Sequence, residues 1–430
     1  MLDINFVREN SELVKKSEKK RGHDIKNVDL VLDSDQKWKR QLKVMEKLRH
    51  QRNVVSQEIN QAKKNKKEAE AKKKIKEMKS VIDDLKKSED KVSKLLKKRN
   101  GTLKLIGNVL HESVPKGKDD SENVELKKVG KVPKFDFPIK DHIELAEDLD
   151  LIDLDTAAKT SGSRFYYLKN EAVLLSHALQ RFAMDRIREK GYTLVQTPYM
   201  LNRAALEGGV NLSEFEDTIY KIEGEDLYLI ATSEHPLIAL EKDELLEEVK
   251  LPMMFCGVSA CFRKEAGSHG RDDKGIFRVH QFNKIEQVVY CLPEESPMYF
   301  DVLQGNSEDL FKELGLPFRV VNICTGDIGN KQSLQYDIEA WFPGQKEKKG
   351  AYREVTSCSN CLDYQAVTLN TRVKRKDGTK QYVHLLNNTA LTDARTIACI
   401  LENYQTSKGT VKIPKALLPY MGGIKEIKRK

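Results

Sequence analysis

Between residues 36 and 105, apolar side chains recur every seven positions in two successive series. Trp38, Met45, Arg52 and Ile59 form one row, with Gln41, Leu48, Val55 and Ala62 three residues later. Ile75, Ile82, Glu89, Leu96 and Leu103 begin the second series, with Met78, Leu85, Val92 and Arg99 beside them. A seven-residue repeat keeps one narrow stripe of a helix turned to a partner. The stretch QAKKNKKEAEAKKK between the series is too polar to continue either, so each stripe has only the other to bury against. The pattern predicts an antiparallel two-helix coiled-coil arm over about 36–105. Helices of about 30 residues at 1.5 Å rise would be on the order of 45 Å long.

Charge is concentrated on the same segment. Residues 36–100 hold 23 Lys and Arg against 9 Asp and Glu, an excess larger than the +9 of the whole 430-residue chain. The remainder is therefore net acidic. A basic, slim element suits a solvated coiled coil that pairs protomers, and equally an arm lying along a polyanion such as nucleic acid; charge alone leaves both readings open.

The arm belongs to an N-terminal domain, 1–110, whose first residues suggest short helices folded back at its base. Residues 111–144, with mixed charge, prolines and no sustained period, have linker composition. The body is expected over 145–430. No apolar run approaches 18 residues, and the start MLDINFVREN lacks a basic-then-apolar signal pattern, so a soluble cytoplasmic protein without membrane contact is expected. The seven cysteines are odd in number and several sit in apolar runs, as reduced, buried thiols do. Cys358 and Cys361 have the spacing of half a zinc knuckle, but no second pair stands nearby, and no zinc is expected.

In the body, short β-rich runs are read at 192–199, 227–232, 254–262, 277–280, 282–290, 318–324, 336–340, 352–357 and 382–386, with helical periods at 172–190 and 393–406. Strands outnumber helices and often follow one another directly. That order predicts an α+β fold, an antiparallel sheet with flanking helices. GxGxxG and GxxxxGK[ST] are both missing.

The run CFRKEAGSHGRDDKGIFRVHQFNKIEQ sets Arg263 and Glu265 at one strand end and Arg278, Phe282 and Glu286 at like parity on the next. Arginines for phosphate, an aromatic face for a base and carboxylates for an amine suit a small ligand carrying all three. An ordinary ion-paired surface hairpin is the plainer alternative. Glu354 and Ser357 flank a strand end, where a carboxylate and a hydroxyl three residues apart could hold Mg²⁺ over phosphate oxygens. Asn387-Asn388 reads as a turn and helix cap. His269 and His280 lack a partner at a diagnostic spacing and receive no catalytic role.

Taken together, these strings resemble the seryl-tRNA synthetase family of class II aminoacyl-tRNA synthetases, over nearly the whole chain. GYTLVQTPYM with Pro198 looks like motif 1, which in that class builds the homodimer interface. CFRKEAGSHGRDDKGIFRVHQFNKIEQ looks like motif 2 in its serine-specific form, and LNNTALTDARTIACILENYQ like motif 3. ATSEHP, YDIEAWFPGQ and REVTSCSNCLDYQ are similar to segments specific to the seryl enzymes. The resemblance implies a class II synthetase-like catalytic domain preceded by a tRNA-binding coiled-coil arm, acting on L-serine, ATP and tRNA(Ser) with Mg²⁺.

Carried over by position, the resemblance implies that Arg263 clamps the α-phosphate and the serine carboxylate, with Arg395 as the second catalytic arginine. Arg278 and Arg395 would hold the outer phosphates, Glu265 would face the adenine amino group, Phe282 would stack on the base and Val279 would meet it through backbone. Glu354 and Ser357 would bind the metal. Thr232 and Glu234 would frame the serine amino group, Glu286 and Thr389 its hydroxyl, with Asn387 nearby, and the loop 267–275 would lie near the tRNA end. Motif 3 carries Asn388 where many bacterial relatives have glycine, and asparagine tolerates the left-handed backbone that glycine would supply; it also carries Asp393 where they have no acid. A catalytically silent RNA-binding relative and a ligase loading a carrier protein are the competing readings, the latter weakened by the basic arm.

Overall fold

The structure is a computed structural model that describes residues 1–210, 212, 216–265 and 275–429. It divides into two compact units, Met1–Val109 and Leu110–Lys430.

The first unit is helical: α1 (Ile4–Glu9), α2 (Ser11–Arg21), α3 (Lys26–Lys64) and α4 (Glu68–Leu103). Helices α3 and α4 pack along each other as the antiparallel arm, their facing residues including Met45, Val55 and Ala62 on one and Ala71, Val81, Leu85 and Ser88 on the other. Of the first series, Met45, Val55 and Ala62 are buried and Trp38, Gln41, Leu48 and Ile59 half-buried, whereas Arg52 is exposed. In the second, the row 78/85/92/99 faces inward but its companion is Val81 and Ser88, not Ile82 and Glu89; Ile75 and Ile82 are exposed. Gln41 donates to Ser88 at 2.8 Å and Lys74 pairs with Glu58 at 2.8 Å, contacts that fix this rotation of α4. At the base, buried Asp35 receives both Arg8, through two bonds of 2.8 and 2.7 Å, and Arg99 at 3.1 Å, while Arg99 also lies over the Trp38 ring. One carboxylate so joins α1, α3 and α4.

The second unit is built on an eight-stranded sheet. Its strands are β1 (Val124–Val129), β2 (Thr193–Gln196), β3 (Met253–Phe262), β4 (Gln281–Cys291), β5 (Phe318–Asn322), β6 (Leu334–Phe342), β7 (Ala351–Asn360) and β8 (His384–Thr392), in the order β1-β5-β6-β7-β8-β4-β3-β2. All neighbours are antiparallel except β2 and β3. Helices α5 (Glu171–Glu189), α7 (Ser296–Glu313) and α8 (Asp393–Asn403) cover one face, and the main core of the unit lies between them and the sheet. The short α6 (Glu234–Ile238) packs on the other face of β3 and β4 beside a smaller core that includes Val288, Leu237 and Ile238.

Three segments differ from the sequence reading. Within 111–144, Val124–Val129 is an edge strand rather than linker; its charged side chains are exposed and take partners such as Arg319 and Glu308, so no alternation marks it. Helix α7 went unread because its inward face is partly polar: Asn306 donates to Gln287 at 2.7 Å and Ser307 to the Thr389 carbonyl at 2.9 Å. Residues 277–280 are not a strand but an irregular lead into β4.

Candidate active site

The uncovered face of the sheet follows from register. Phe282, Lys284 and Glu286 alternate along β4 and lie opposite Cys261, Ser259 and Gly257 on β3, so large polar side chains stand over small ones. Gly257 lets α6 approach closely: a Cβ there would come within 2.7 Å of the Leu237 side chain and 3.0 Å of Ser233 Cβ, so one of them would have to shift. On the other side of β4, Thr389 pairs with Glu286.

Beyond β3, Arg263 exchanges bonds with His280: the Arg263 backbone N–H donates to the His280 carbonyl at 2.9 Å, and the His280 imidazole Nδ1 lies 2.7 Å from the Arg263 carbonyl oxygen. His280 is thus a fastener of the hairpin mouth. Glu265 follows at φ +50°, and its carboxylate takes Arg278 at 3.1 Å. The Arg263 guanidinium lies 5.1 Å over the Phe282 ring, and its Nε donates to the Ala231 carbonyl at 3.3 Å. Across from them, Arg395 near the start of α8 reaches Glu354 of β7 through its carbonyl at 2.9 Å and its carboxylate at 3.3 Å, and packs on Phe277. Arg263, Glu265, Phe277, Arg278, Phe282, Glu354 and Arg395, with Val279, Lys284, Thr389 and Thr392, line an open pocket.

Asp393 anchors this wall. Its carboxylate accepts from Asn283 through backbone at 2.9 Å and amide at 2.8 Å, from Ser176 of α5 at 2.8 Å, and from the Ala394 N–H at 2.7 Å. Helix α5 and the two strings that resemble motifs 2 and 3 meet on one buried side chain.

Deeper along β4 is a closed, charged cluster. Lys331 pairs with Glu234 at 2.6 Å, and Gln365 donates to the same oxygen at 2.7 Å. Burial alone would raise the Glu234 carboxyl, but Lys331 above all holds it down at about 2. Burial pushes the neighbouring His235 down to about 3, so it is neutral. Lys284 stands 2.5 Å from Glu286 and donates to Thr232 at 3.0 Å. Burial raises Glu286 and Lys284 opposes that rise.

On β7 the register against β6 slips by one residue at Val355: Glu354 lies opposite Glu339 and Ser357 opposite Asp337. The bulge brings Glu354 and Ser357 to one face despite their odd spacing. Burial, then Glu354, pushes Asp337 well above the usual carboxylate range, and Ser357 is hydrogen-bonded to it. A carboxylate and a hydroxyl beside a second acid form an oxygen donor set that fits a hard divalent cation. Among the described residues no three His, Cys, Asp or Glu side chains gather closely enough to hold a metal unaided.

The sequence-derived residues therefore fall into two places. Arg263, Glu265, Arg278, Val279, Phe282, Glu354, Thr389 and Arg395 line the pocket, while Thr232, Glu234 and Glu286 form the closed cluster. Asn387 is buried on β8 with its amide toward the Cys361 sulfur at 3.7 Å. The cap reading of Asn387-Asn388 is overturned. Both are mid-strand, and Asn388 is not left-handed; its amide crosses to Leu303 and Ser307 of α7 at 2.6 and 2.9 Å. Glu354 and Ser357 are likewise within a strand, not at its end. The loop residues 266–274, His269 among them, lie outside the described residues. Lys284, Lys331, Gln365 and Asp393 were not singled out as site residues, although Lys284 could have been found as the polar residue between Phe282 and Glu286 at the same parity.

An antiparallel sheet whose open face carries motif arginines, flanked by these helices, is the catalytic core of a class II aminoacyl-tRNA synthetase. Residues 217–404 match the family model for the tRNA synthetase class II core domain (G, H, P, S and T), and residues 1–110 that for the seryl-tRNA synthetase N-terminal domain. The serine–tRNA ligase of Methanoregula boonei is 48% identical over 427 residues, 98% of this chain and 99% of that one. Among solved structures, the seryl-tRNA synthetase of Pyrococcus horikoshii complexed with ATP superposes with a TM-score of 0.89 at 45% identity over 100% of both chains. The cytoplasmic serine–tRNA ligase of Naegleria fowleri in complex with AMP gives 0.86 at 37%, covering 100% of this chain and 99% of that one. The chain belongs to the seryl-tRNA synthetase family.

Proposed function

We propose that the chain is an ATP-dependent, AMP-forming serine–tRNA ligase, which converts L-serine and ATP to seryl-adenylate and pyrophosphate and then passes the seryl group to the 3′ end of tRNA(Ser). The observation that carries this reading is the position of Arg263: its guanidinium lines the open arginine-rich pocket and bonds the Ala231 carbonyl, one residue before Thr232 of the closed cluster. A nucleotide on one side and a small zwitterion on the other would both meet it.

In the reaction the serine carboxylate attacks the α-phosphorus in line and pyrophosphate leaves. No side chain need act as nucleophile, so the protein supplies placement and charge neutralisation. Arg263 takes the α-phosphate and the serine carboxylate, and Arg278 and Arg395 the outer phosphates. Glu265 accepts from the adenine amino group, Phe282 stacks on the ring and Val279 meets it by backbone. Thr232 and Glu234 receive the serine ammonium, Glu286 and Thr389 its hydroxyl, and Asn387 supports the rim. Glu354 and Ser357 would hold Mg²⁺, which when bound neutralises phosphate charge.

The domain assignment is 1–110 for tRNA binding through the arm and 145–430 for catalysis, with 111–144 joining them. The basic helices suit the tRNA backbone. A homodimer through motif 1 is supported by exposed Val173 and Leu174 on α5, Leu194 on β2, and Tyr199 and Met200 beyond it. No helix among the described residues is long and apolar enough to cross a membrane; the cytoplasmic assignment rests on the proposed use of tRNA. The silent-relative reading is disfavoured by the presence of Arg263, Arg278, Arg395, Glu265, Glu286 and Glu354 together. Exchange of label between pyrophosphate and ATP, run with serine, threonine, alanine and glycine, tests the proposal. Serine-dependent exchange is expected, and none from folded protein would overturn it.

A further inference from the structure

Lys284 has no assigned part in this chemistry, yet it is the side chain shared by the two halves of the site. It lines the open pocket, and its ammonium ends inside the closed cluster, with its side chain only 8% exposed. There it meets Glu286 at 2.5 Å and the Thr232 hydroxyl at 3.0 Å. Glu286, whose side chain is 1% exposed, has no such cationic neighbour elsewhere on its own strand.

We infer that Lys284 is a specificity-positioning residue: its ammonium holds Glu286 as an ionised, acceptor-only carboxylate aimed at the place where a substrate hydroxyl binds. The inference rests on the serine–tRNA ligase reading and deepens it. A carboxylate is costly to bury alone, and without a cation it takes up a proton. Protonated, Glu286 would be a weaker partner for a hydroxyl and would lose less when the hydroxyl is missing. Discrimination against an amino acid lacking the hydroxyl depends on leaving a strongly polar group unpaired, so it depends on that charge.

The surroundings of Glu286 leave this part to Lys284. Across the cluster stand Glu234 from α6, which disfavours a second negative charge, and Lys331, which favours that charge without touching it, its own contact being Glu234 at 2.6 Å. The thiols of Cys256 and Cys261 on β3 and Cys358 on β7 also sense Glu286, and burial raises all three, so they are uncharged. From β8 comes the neutral Thr389. Lys284 is the cation in contact.

The test compares Lys284→Met, Lys284→Arg, Glu286→Gln and the Met/Gln double variant in full-length protein, by pyrophosphate exchange with serine and alanine between pH 5.5 and 8.5. In Lys284→Met the acid limb of kcat/KM for serine should move up by about one pH unit or more, and the serine-to-alanine ratio at pH 6.5 should drop about tenfold. Lys284→Arg should keep the parental limb. Glu286→Gln should lack it, and adding Lys284→Met to Glu286→Gln should leave the ratio unchanged. A parental limb and ratio in Lys284→Met would overturn the inference, as would a further fall of the ratio in the double variant. If the Met variant does not fold, judged by ATP-dependent thermal stabilisation, Lys284→Gln removes the same charge and is read the same way. Absent serine exchange in the parent would instead sink the ligase reading itself, so the two failures are separate.

Discussion

Asn283 and Asp393 are bonded twice, backbone to Oδ1 at 2.9 Å and amide to Oδ2 at 2.8 Å. Asn283 sits between Phe282 and Lys284 on β4, and Asp393 opens the helix that carries Arg395 two residues on. The pair therefore sets the separation of Phe282 and Arg395, an aromatic and an arginine that line one pocket from distant parts of the chain. Asp393→Ala would leave the donors of Asn283, Ser176 and Ala394 unpaired in a buried place. We expect a stability loss of about 3 kcal/mol in urea denaturation. In whatever fraction remains folded, KM for ATP should rise more than KM for serine; equal rises would remove Asp393 from the alignment of the nucleotide wall.

In the proposed reaction Arg263 would meet groups common to every amino acid and to ATP. Arg263→Ala should lower kcat/KM for serine in the exchange assay by about 10²-fold or more, as loss of a charge-stabilising donor does. The serine-to-alanine ratio should hardly change. A collapse of that ratio would mean that Arg263 also shapes the side-chain pocket.

The arm should matter for transfer and not for activation. Deleting 45–88 and joining the ends by a short turn keeps Asp35 with Arg8 and Arg99 at the base. Pyrophosphate exchange should survive, while charging of tRNA fails at moderate salt. In the parent, the logarithm of tRNA affinity should fall linearly with log salt concentration, as phosphate contacts require. Normal charging by the shortened protein would exclude the arm from tRNA binding.

Glu234 gives a pH signature. Its carboxyl is held at about 2 against an ordinary 4.5, so it binds fewer protons folded than unfolded. Its contribution to stability is present in full above the ordinary value and is lost as pH falls through that interval toward 2. Lys331→Met removes the main group that holds it down. The gap in denaturation midpoint between parent and variant should be widest near pH 7 and close progressively below about pH 4.5. A gap that stays constant down to pH 3 would show that Lys331 acts by packing and not by charge.

Where side chains alternate in and out, the sequence was readable: β3, β4, β6, β7, α5 and α8 lie close to where periodicity put them. At the hairpin mouth Arg263 and Glu265 stood out because they break off the apolar run 254–262, and Phe282 because it is an aromatic between Gln281 and Asn283. What stayed hidden has specific causes. Helix α7 buries Asn306 and Ser307 against partners that only the fold supplies, which erases its apolar stripe. In α4, Ile82 is more hydrophobic than Val81, yet it is Val81 that faces α3, since a two-helix seam is fixed by pairwise contacts such as Gln41 with Ser88. Lys284, Lys331 and Gln365 read as ordinary polar residues until three separate segments bring them to two buried glutamates.

The slip of register at Val355 makes this part of the enzyme a matter of phase. Along β7, one uncounted residue decides whether Ser357 shares a face with Glu354 or turns its back on it. Deleting Val355 would preserve every other letter of the strand and still scramble its meaning, as a lost base does to a reading frame. A substitution at Val355 leaves the count of residues between Glu354 and Ser357 intact, whereas a change in that count turns one of the two away from the other.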